Sequence, residues 1–260
     1  IVACYLKCTQ ANYRDNDMNN DTNNNLRNAH QEQGQPTVGV LVSSFDSIKP
    51  AFSSLQGRTV KLHLLSPHTL SPIQHQQIWQ VVQSEPNATC WTYLPYSGFA
   101  QPEALMKVLD HNFNFVDAVH FVIETAQGVV GWVGLLNIRP VHRVIEIGNV
   151  YFSHQMKQST AATEVLYLLL KHCFAQGYRR VEWKCDDLNV PSKKAALRFG
   201  FQYEGTFRQD RIVKGRNRNT AWFSIIDEEW SDLEPAYQQW LSPENFDAKG
   251  IQKKRLSDFM

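Results

Sequence analysis

"EWKCDDLNVPSKKAALRFGF", residues 182–201, passes from apolar alternation through a polar knot into a basic helix and stops on Gly-Phe. Val181, Trp183 and Cys185 alternate with Glu182 and Lys184, the period of a strand with one apolar face. Asp186 and Asp187 end that strand, because neither fits an apolar sheet. Asn189 is placed to cap a helix over 191–199 that Pro191 helps to start, and Gly200 closes it. Lys193, Lys194 and Arg198 fall on the solvent side, with Ala195, Leu197 and Phe199 inward at least in part. Locally, Asn189 and Ser192 satisfy backbone donors and the lysines are solvated.

Working outward, "AATEVLYLLLKHCFAQ" (161–176) sets Ala162, Val165, Leu166, Leu169 and Cys173 on one stripe and ends at Gly177, the pattern of a long amphipathic helix. Ahead of it three stretches read as successive strands, 117–124, 128–138 and 143–152. Further upstream "RTVKLHLL" (58–65) alternates as a strand. It precedes helices at "SPIQHQQIWQVVQ" (71–83) and "PEALMKVLDHNF" (102–113). A strand at 179–185 precedes the opening helix. Strands at 201–213 and 218–227 follow, joined by "KGRNRN" with Gly215, Asn217 and Asn219 as turn formers. The order β-αα-βββ-α-β-α-ββ predicts one α+β domain with a mixed sheet.

Composition bounds the function. The chain has 260 residues, 43% hydrophobic and 20% charged, and a formal charge of +1, which leaves no global field to attract nucleic acid or an anionic membrane. No apolar run approaches a bilayer span. Five scattered cysteines (Cys4, Cys8, Cys90, Cys173, Cys185) neither pair into a disulfide framework nor complete a zinc site. A reducing, cytoplasmic setting without a metal is expected. Residues 9–35 are rich in Asn, Asp and Gln. The expected organisation is a largely disordered extension over 1–50, with "TVGVLVSSF" (37–45) as its one candidate strand. The domain follows over 51–230, then a tail over 231–260 with a short helix.

Three constellations carry chemistry. "QSTAAT" (158–163) puts small residues at the mouth of the long helix, where first-turn N–H groups have no intrahelical partners. That suits a phosphate, and it equally suits a cap by Ser159 or Thr160. Glu146 lies inside "RVIEIGNV", opposite in pleat to Ile145 and Ile147. A carboxylate there is either a buried base, made stronger by its apolar surroundings, or the partner of Arg139, Arg143 or another strand residue. "WTYLPYSGF" (91–99) offers Trp91, Tyr93, Tyr96 and Phe99 between the first two helices, as a lid or, for Trp91, as core.

In this order, the small-residue loop, long helix, strand, "DxxNxxS" (186–192), short helix and "GF" resemble the GNAT superfamily of acetyl-CoA-dependent N-acetyltransferases. More narrowly they resemble the RimJ/RimL-like branch named for ribosomal-protein acetyltransferases. The resemblance covers roughly residues 57–230 and is densest after 161. It implies a three-layer fold with a mixed, mostly antiparallel sheet flanked by helices. It implies acetyl-CoA as acyl donor and direct attack by a primary amine in a ternary complex. The acceptor is a protein N-terminus, an amino acid or a small amine.

By the same resemblance, Gln158, Ser159, Thr160, Ala161, Ala162 and Thr163 hold the cofactor pyrophosphate. In the family motif Gln/Arg-x-x-Gly-x-Gly/Ala the matching residues are Gln158, Ala161 and Thr163, and Ala161 and Thr163 depart from glycine. Phe152 and Ser153 pair with the pantetheine arm, which Asn189 also meets. Lys193 or Lys194 reaches the outer phosphates. Glu146 accepts the amine proton, with Glu124, Glu204 and Asp210 as other acids in reach. Ser192 positions or protonates the thiol, since Ala196 occupies the place of the superfamily's usual tyrosine. Trp91, Tyr93 and Tyr96 line the amine site. That missing tyrosine and the altered loop also admit a second reading, a non-catalytic acyl-CoA-binding module of the same fold.

Overall fold

The computed structural model describes residues 38–42, 51–65, 70–112, 117–157 and 159–260. The expected N-terminal extension falls almost wholly outside them. Of the candidate strand at 37–45, residues 38–42 are described, and they carry one bridge position at Val38 and no strand.

Residues 46–260 form one unit. Its described elements are β1 (Leu55–Gln56), β2 (Lys61–Leu64), α1 (Pro72–Gln83), α2 (Pro102–Asn112), β3 (Val119–Thr125), β4 (Gly128–Arg139) and β5 (Val144–Phe152). They continue with α3 (Thr160–Ala175), β6 (Arg180–Asp186), α4 (Val190–Arg198), β7 (Gln202–Val213), β8 (Arg216–Ile226) and α5 (Asp227–Leu241). The eight strands make one sheet in the order β1-β2-β3-β4-β5-β6-β8-β7. Every neighbouring pair is antiparallel except β5 and β6. A parallel pair needs a crossover, and α3 supplies it.

The strand pleat sorts side chains into two cores. Phe121, Val133, Ile145, Ile147, Val181 and Trp183 point to the side covered by α3 and α5, with Val165, Leu166, Leu169 and Cys173 of the predicted stripe buried against them. Val122, Trp132 and Tyr151 point to the other side, against Ile78, Val81 and Val82 of α1 and Leu105 and Leu109 of α2. Each large apolar side chain so buried contributes about 1.5–3 kcal/mol. The result is the expected α+β arrangement of three layers around a mixed, mostly antiparallel sheet.

Three of the departures from the expected bounds have a definite physical cause. The strand expected at 58–65 begins at Lys61, because Arg58 and Thr59 turn onto the buried Glu164 carboxylate of α3, donating backbone N–H groups at 2.6 and 2.8 Å. The β7–β8 loop shrinks to Lys214–Gly215, whose φ values of 51° and 73° match a two-residue hairpin turn with left-handed residues. The C-terminal helix is α5, 15 residues long, and its Trp230, Tyr237 and Trp240 join the α3 core.

Candidate active site

The site begins where β5 and β6 part. Their parallel register runs Val144–Arg180, Ile145–Val181, Glu146–Glu182 and Ile147–Trp183 and then stops. Residues 148–152 of β5 continue along β4 alone. Between the pairs Trp132–Tyr151 and Gly134–Gly148, β5 carries one residue more than β4, a bulge that bends it away from β6. Asn149 sits in that bulge at φ 47°, left-handed for a non-glycine residue.

A directional hydrogen-bond chain fixes the bulge. The Trp132 indole N–H donates only, and it donates to Tyr96 Oη at 3.1 Å. The Tyr96 proton then goes to Asn149 Oδ1 at 3.0 Å. That leaves the Asn149 amide nitrogen to donate to His120 Nε2 at 3.1 Å, so this ring nitrogen is the unprotonated one. Burial pushes the Tyr96 phenol well above its ordinary range, which keeps its proton in the chain. Tyr151 is pushed up likewise, by burial and then by Glu85, whose carboxylate accepts from Tyr151 Oη at 3.0 Å and from the His154 N–H at 2.9 Å.

Across the opening lies α4. Asn189 Oδ1 accepts from the Ser192 N–H at 3.2 Å, the cap expected from the sequence, and its amide nitrogen has no partner among the described residues. The two aspartates are explained locally: Asp186 Oδ1 takes the Leu188 N–H at 2.9 Å and Asp187 pairs with Lys193 at 3.0 Å. Lys193 is therefore engaged, whereas Lys194 stands exposed. Ser192 Oγ accepts the Trp183 indole N–H at 3.0 Å, which leaves the hydroxyl proton to be given elsewhere. Its neighbour Cys185 is a buried thiol, pushed up by that burial against a hydrogen bond from Ser192.

At the start of α3, Ser159 is the cap: its Oγ accepts from the Ala162 N–H at 3.3 Å and donates to Met156 O at 2.6 Å. The N–H groups of Thr160 and Ala161, first and second in the helix, have no intrahelical acceptor and lie half-buried. Thr163 is buried and takes Arg198 Nη2 on its Oγ1 at 3.0 Å. Gln158 lies outside the described residues. Phe152 pairs with Gly131 on β4. The Ser153 N–H is spent on Val130 O, while its buried Oγ has no partner among the described residues.

Glu146 is buried just inside the opening. Asn137 Nδ2 donates to its Oε2 at 2.5 Å and Lys184 Nζ stands 2.9 Å from the same oxygen. Of the two readings left open by the sequence, the ion pair forms, with Lys184 on β6. Lys184 is 2.9 Å from Glu182 as well, which also holds Arg139 (2.6 Å) and Arg180 (3.0 Å). Burial alone would push the Glu182 carboxyl up, yet these three cations bring it below its ordinary value. Glu204 is drawn into the same cluster by Arg180. Glu124 pairs with His63, and Asp210 accepts from Thr220 Oγ1.

The 91–99 segment divides. Trp91 is buried and stacks on Tyr151 with ring centroids 4.8 Å apart, as its core reading requires. Tyr96 belongs to the bulge chain. Tyr93 is exposed and donates to Leu188 O at 3.0 Å, spanning from the α1–α2 connection to the β6–α4 loop. Lys214, at the β7–β8 turn, reaches Trp91 O at 2.7 Å. The sequence had not singled out Lys184, Asn137, Asn149, His120 or Lys214. A polar residue at 149 inside an apolar strand was the one available sign of a bulge.

A diverging parallel strand pair and a bulge beside it, with the Thr160 and Ala161 N–H groups, the Asn189 amide and the Ser153 hydroxyl left without a partner among the described residues, fit an extended amide-bearing arm that ends in phosphates. Among the described residues no cluster of His, Cys, Asp or Glu is arranged to hold a metal, and no helix is long and apolar enough to cross a membrane.

The described geometry has close counterparts. A GCN5-related N-acetyltransferase from Brucella melitensis is 39% identical, over 84% of this chain and 98% of that one, with a TM-score of 0.79. A GNAT-family acetyltransferase structure from Chromobacterium violaceum is 34% identical over 75% and 96%, with a TM-score of 0.68. RimL, the ribosomal L7/L12 α-N-protein acetyltransferase in complex with coenzyme A, is 19% identical over 66% and 97%, with a TM-score of 0.55, a likeness of fold. No curated protein matches the chain. The family model described as an acetyltransferase (GNAT) domain matches residues 65–202. Its span runs from the end of β2 to the start of β7 and takes in the strand opening, the α3 mouth and the Asn189 cap. The chain therefore belongs to the GNAT family of acetyltransferases, whose members carry out acetyl-CoA-dependent acetyl transfer.

Proposed function

We propose that this protein transfers the acetyl group of acetyl-CoA to a primary amine by direct attack in a ternary complex. The observation that carries the reading is the β5–β6 opening, with Glu146 on one side and Asn189 and Ser192 on the other. Acetyl-CoA supplies an activated acyl group; the chain's residues supply position and proton traffic. Thr160 and Ala161 N–H groups meet the pyrophosphate, and Asn189 with the residues around Phe152 and Ser153 orients the amide arm. Thr163 contributes to packing at the helix start through Arg198. Glu146 takes the proton that the amine must lose, directly or through one water. Ser192, which accepts the Trp183 indole N–H and neighbours the Cys185 thiol, turns its proton to the departing sulfur or aims it there. Bond formation at the amine nitrogen and loss of the C–S bond leave an amide and a free thiol.

The acceptor is a protein N-terminus, an amino acid or a small amine, as in the RimJ/RimL-like branch that the motifs resemble. Tyr93 and the Lys214–Trp91 contact border its approach. A cytoplasmic setting agrees with the three free cysteines described, Cys90, Cys173 and Cys185. Turnover is tested by thiol release from acetyl-CoA across a panel of peptides with free N-termini, amino acids and polyamines. Amine-dependent release supports transfer. A second reading, a binding module without turnover, is favoured by one observation: Ala196, fully buried in α4, offers no hydroxyl where the family's usual acid stands. Calorimetric binding of acetyl-CoA with no amine-dependent release across the panel would select it.

A further inference from the structure

Lys184 stands out as a buried cation that the reaction does not visibly need. Its side chain is 8% exposed, lies 2.9 Å from one oxygen each of Glu146 and Glu182, and sits 3.9 Å above the Trp222 ring. Glu182 would not lack cations without it, since Arg139 and Arg180 both reach it, and Arg180 also pairs with Glu204. Among the described residues Glu146 has no cation other than Lys184. A carboxylate this buried with no cation beside it favours its neutral form, and a protonated carboxyl cannot accept a proton.

The two oxygens of Glu146 are also unequal. Oε2 takes both Lys184 and Asn137, whereas Oε1 has no hydrogen bond or ion pair among the described residues. Beside Oε1 lies Gly148, the first β5 residue beyond the parallel pairing. A Cβ at that position would lie 3.1 Å from Oε1 and 2.8 Å from Leu136 Cδ1. The missing side chain lets Oε1 and the Leu136 methyl close onto the Gly148 backbone at the fork of the strands.

We infer that Lys184 is a positioning residue that keeps Glu146 ionised and pinned through Oε2, so that Oε1, beside Gly148 at the fork of the strands, is the proton acceptor. The inference rests on the assignment of Glu146 as base. The proton leaves the amine nitrogen for Oε1, directly or through one water, and passes from the carboxyl to solvent after the product amide has formed.

The test separates the pairing from the catalysis. With glutamate carboxyl carbons labelled with carbon-13 and the Glu146 signal assigned by its loss in Glu146→Gln, the carboxyl is titrated by NMR in the free protein and in Lys184→Met. Its midpoint moves to higher pH in Lys184→Met, and the acid limb of the kcat/KM–pH profile moves the same way. Lys184→Arg, which keeps the charge, restores both, and serves alone against wild type if Lys184→Met does not fold. In that case its two profiles stay on the wild-type ones. In the Glu146→Gln background, Lys184→Met adds no further loss of kcat. An unmoved midpoint in Lys184→Met, or a displaced one in Lys184→Arg, overturns the role of Lys184 whatever Glu146 does. A midpoint that moves while Glu146→Gln keeps wild-type turnover overturns it by removing Glu146 from the reaction.

Discussion

Ile147 and Trp183 are the last residues to pair across the parallel seam between β5 and β6. Trp183 ties the seam to α4 by donating its indole N–H to Ser192 Oγ. The residue that ends the pairing thus also orients the hydroxyl on the far side of the opening.

Ser192→Ala removes that acceptor and leaves a buried indole N–H unpaired. Stability falls by about 1–3 kcal/mol in urea unfolding. If Ser192 also serves the leaving thiolate, kcat falls by more than the roughly tenfold that mispositioning alone would produce. Ser192→Thr, which retains the hydroxyl, separates the two effects.

Asn189→Ala removes a helix cap and an arm contact together. The cap is worth about 1 kcal/mol of stability. Calorimetry should show weaker acetyl-CoA binding in this variant, whereas Asn189→Asp keeps the cap, loses the amide donor and adds a negative charge. Equal affinity in Asn189→Asp and wild type would confine Asn189 to capping.

Acid weakens the fold through the cluster at the seam. Arg180 is the largest influence on Glu204 and, with Lys184 and Arg139, outweighs burial at Glu182, so both carboxyls titrate below their ordinary value of 4.5 in the folded chain. A depressed folded pKa gives stability that is present above the unfolded value and lost as pH falls through the folded one. The urea midpoint should therefore fall as pH drops below 4.5, and Arg180→Ala should flatten that decline. A midpoint equally steep in the variant contradicts the assignment.

Gly131 faces Tyr151 across β4 and β5 so closely that an added Cβ would lie 2.1 Å from the Tyr151 carbonyl oxygen. Gly131→Ala must push the strands apart beside the bulge. A loss of about 3 kcal/mol or more is expected, seen as a lowered Tm or as insoluble expression. A fully stable variant would contradict the register.

The fold was legible where chemistry is local. The α3 stripe, the Asn189 cap and the Gly200 stop follow from residues a few positions apart, and each stands in the structure. The partner of Glu146 was not legible, because it depends on a parallel register set by the long crossover between Phe152 and Arg180. The alternation of Glu182 and Lys184 put both on one face of β6, but nothing local said which strand lay alongside. The bulge at Asn149 needed Trp132, Tyr96 and His120 from three other segments. The start of β2 was displaced by Glu164, more than a hundred positions away. What a sequence hides here is the cross-strand neighbour, and that neighbour sets the electrostatics of the site.

The most direct test of the central claim compares wild type with Glu146→Gln in amine-dependent release of thiol from acetyl-CoA, alongside calorimetric affinity for acetyl-CoA. The account predicts that release slows by about 10²–10³-fold while affinity stays within about twofold. Wild-type release from Glu146→Gln, at unchanged affinity, would contradict it.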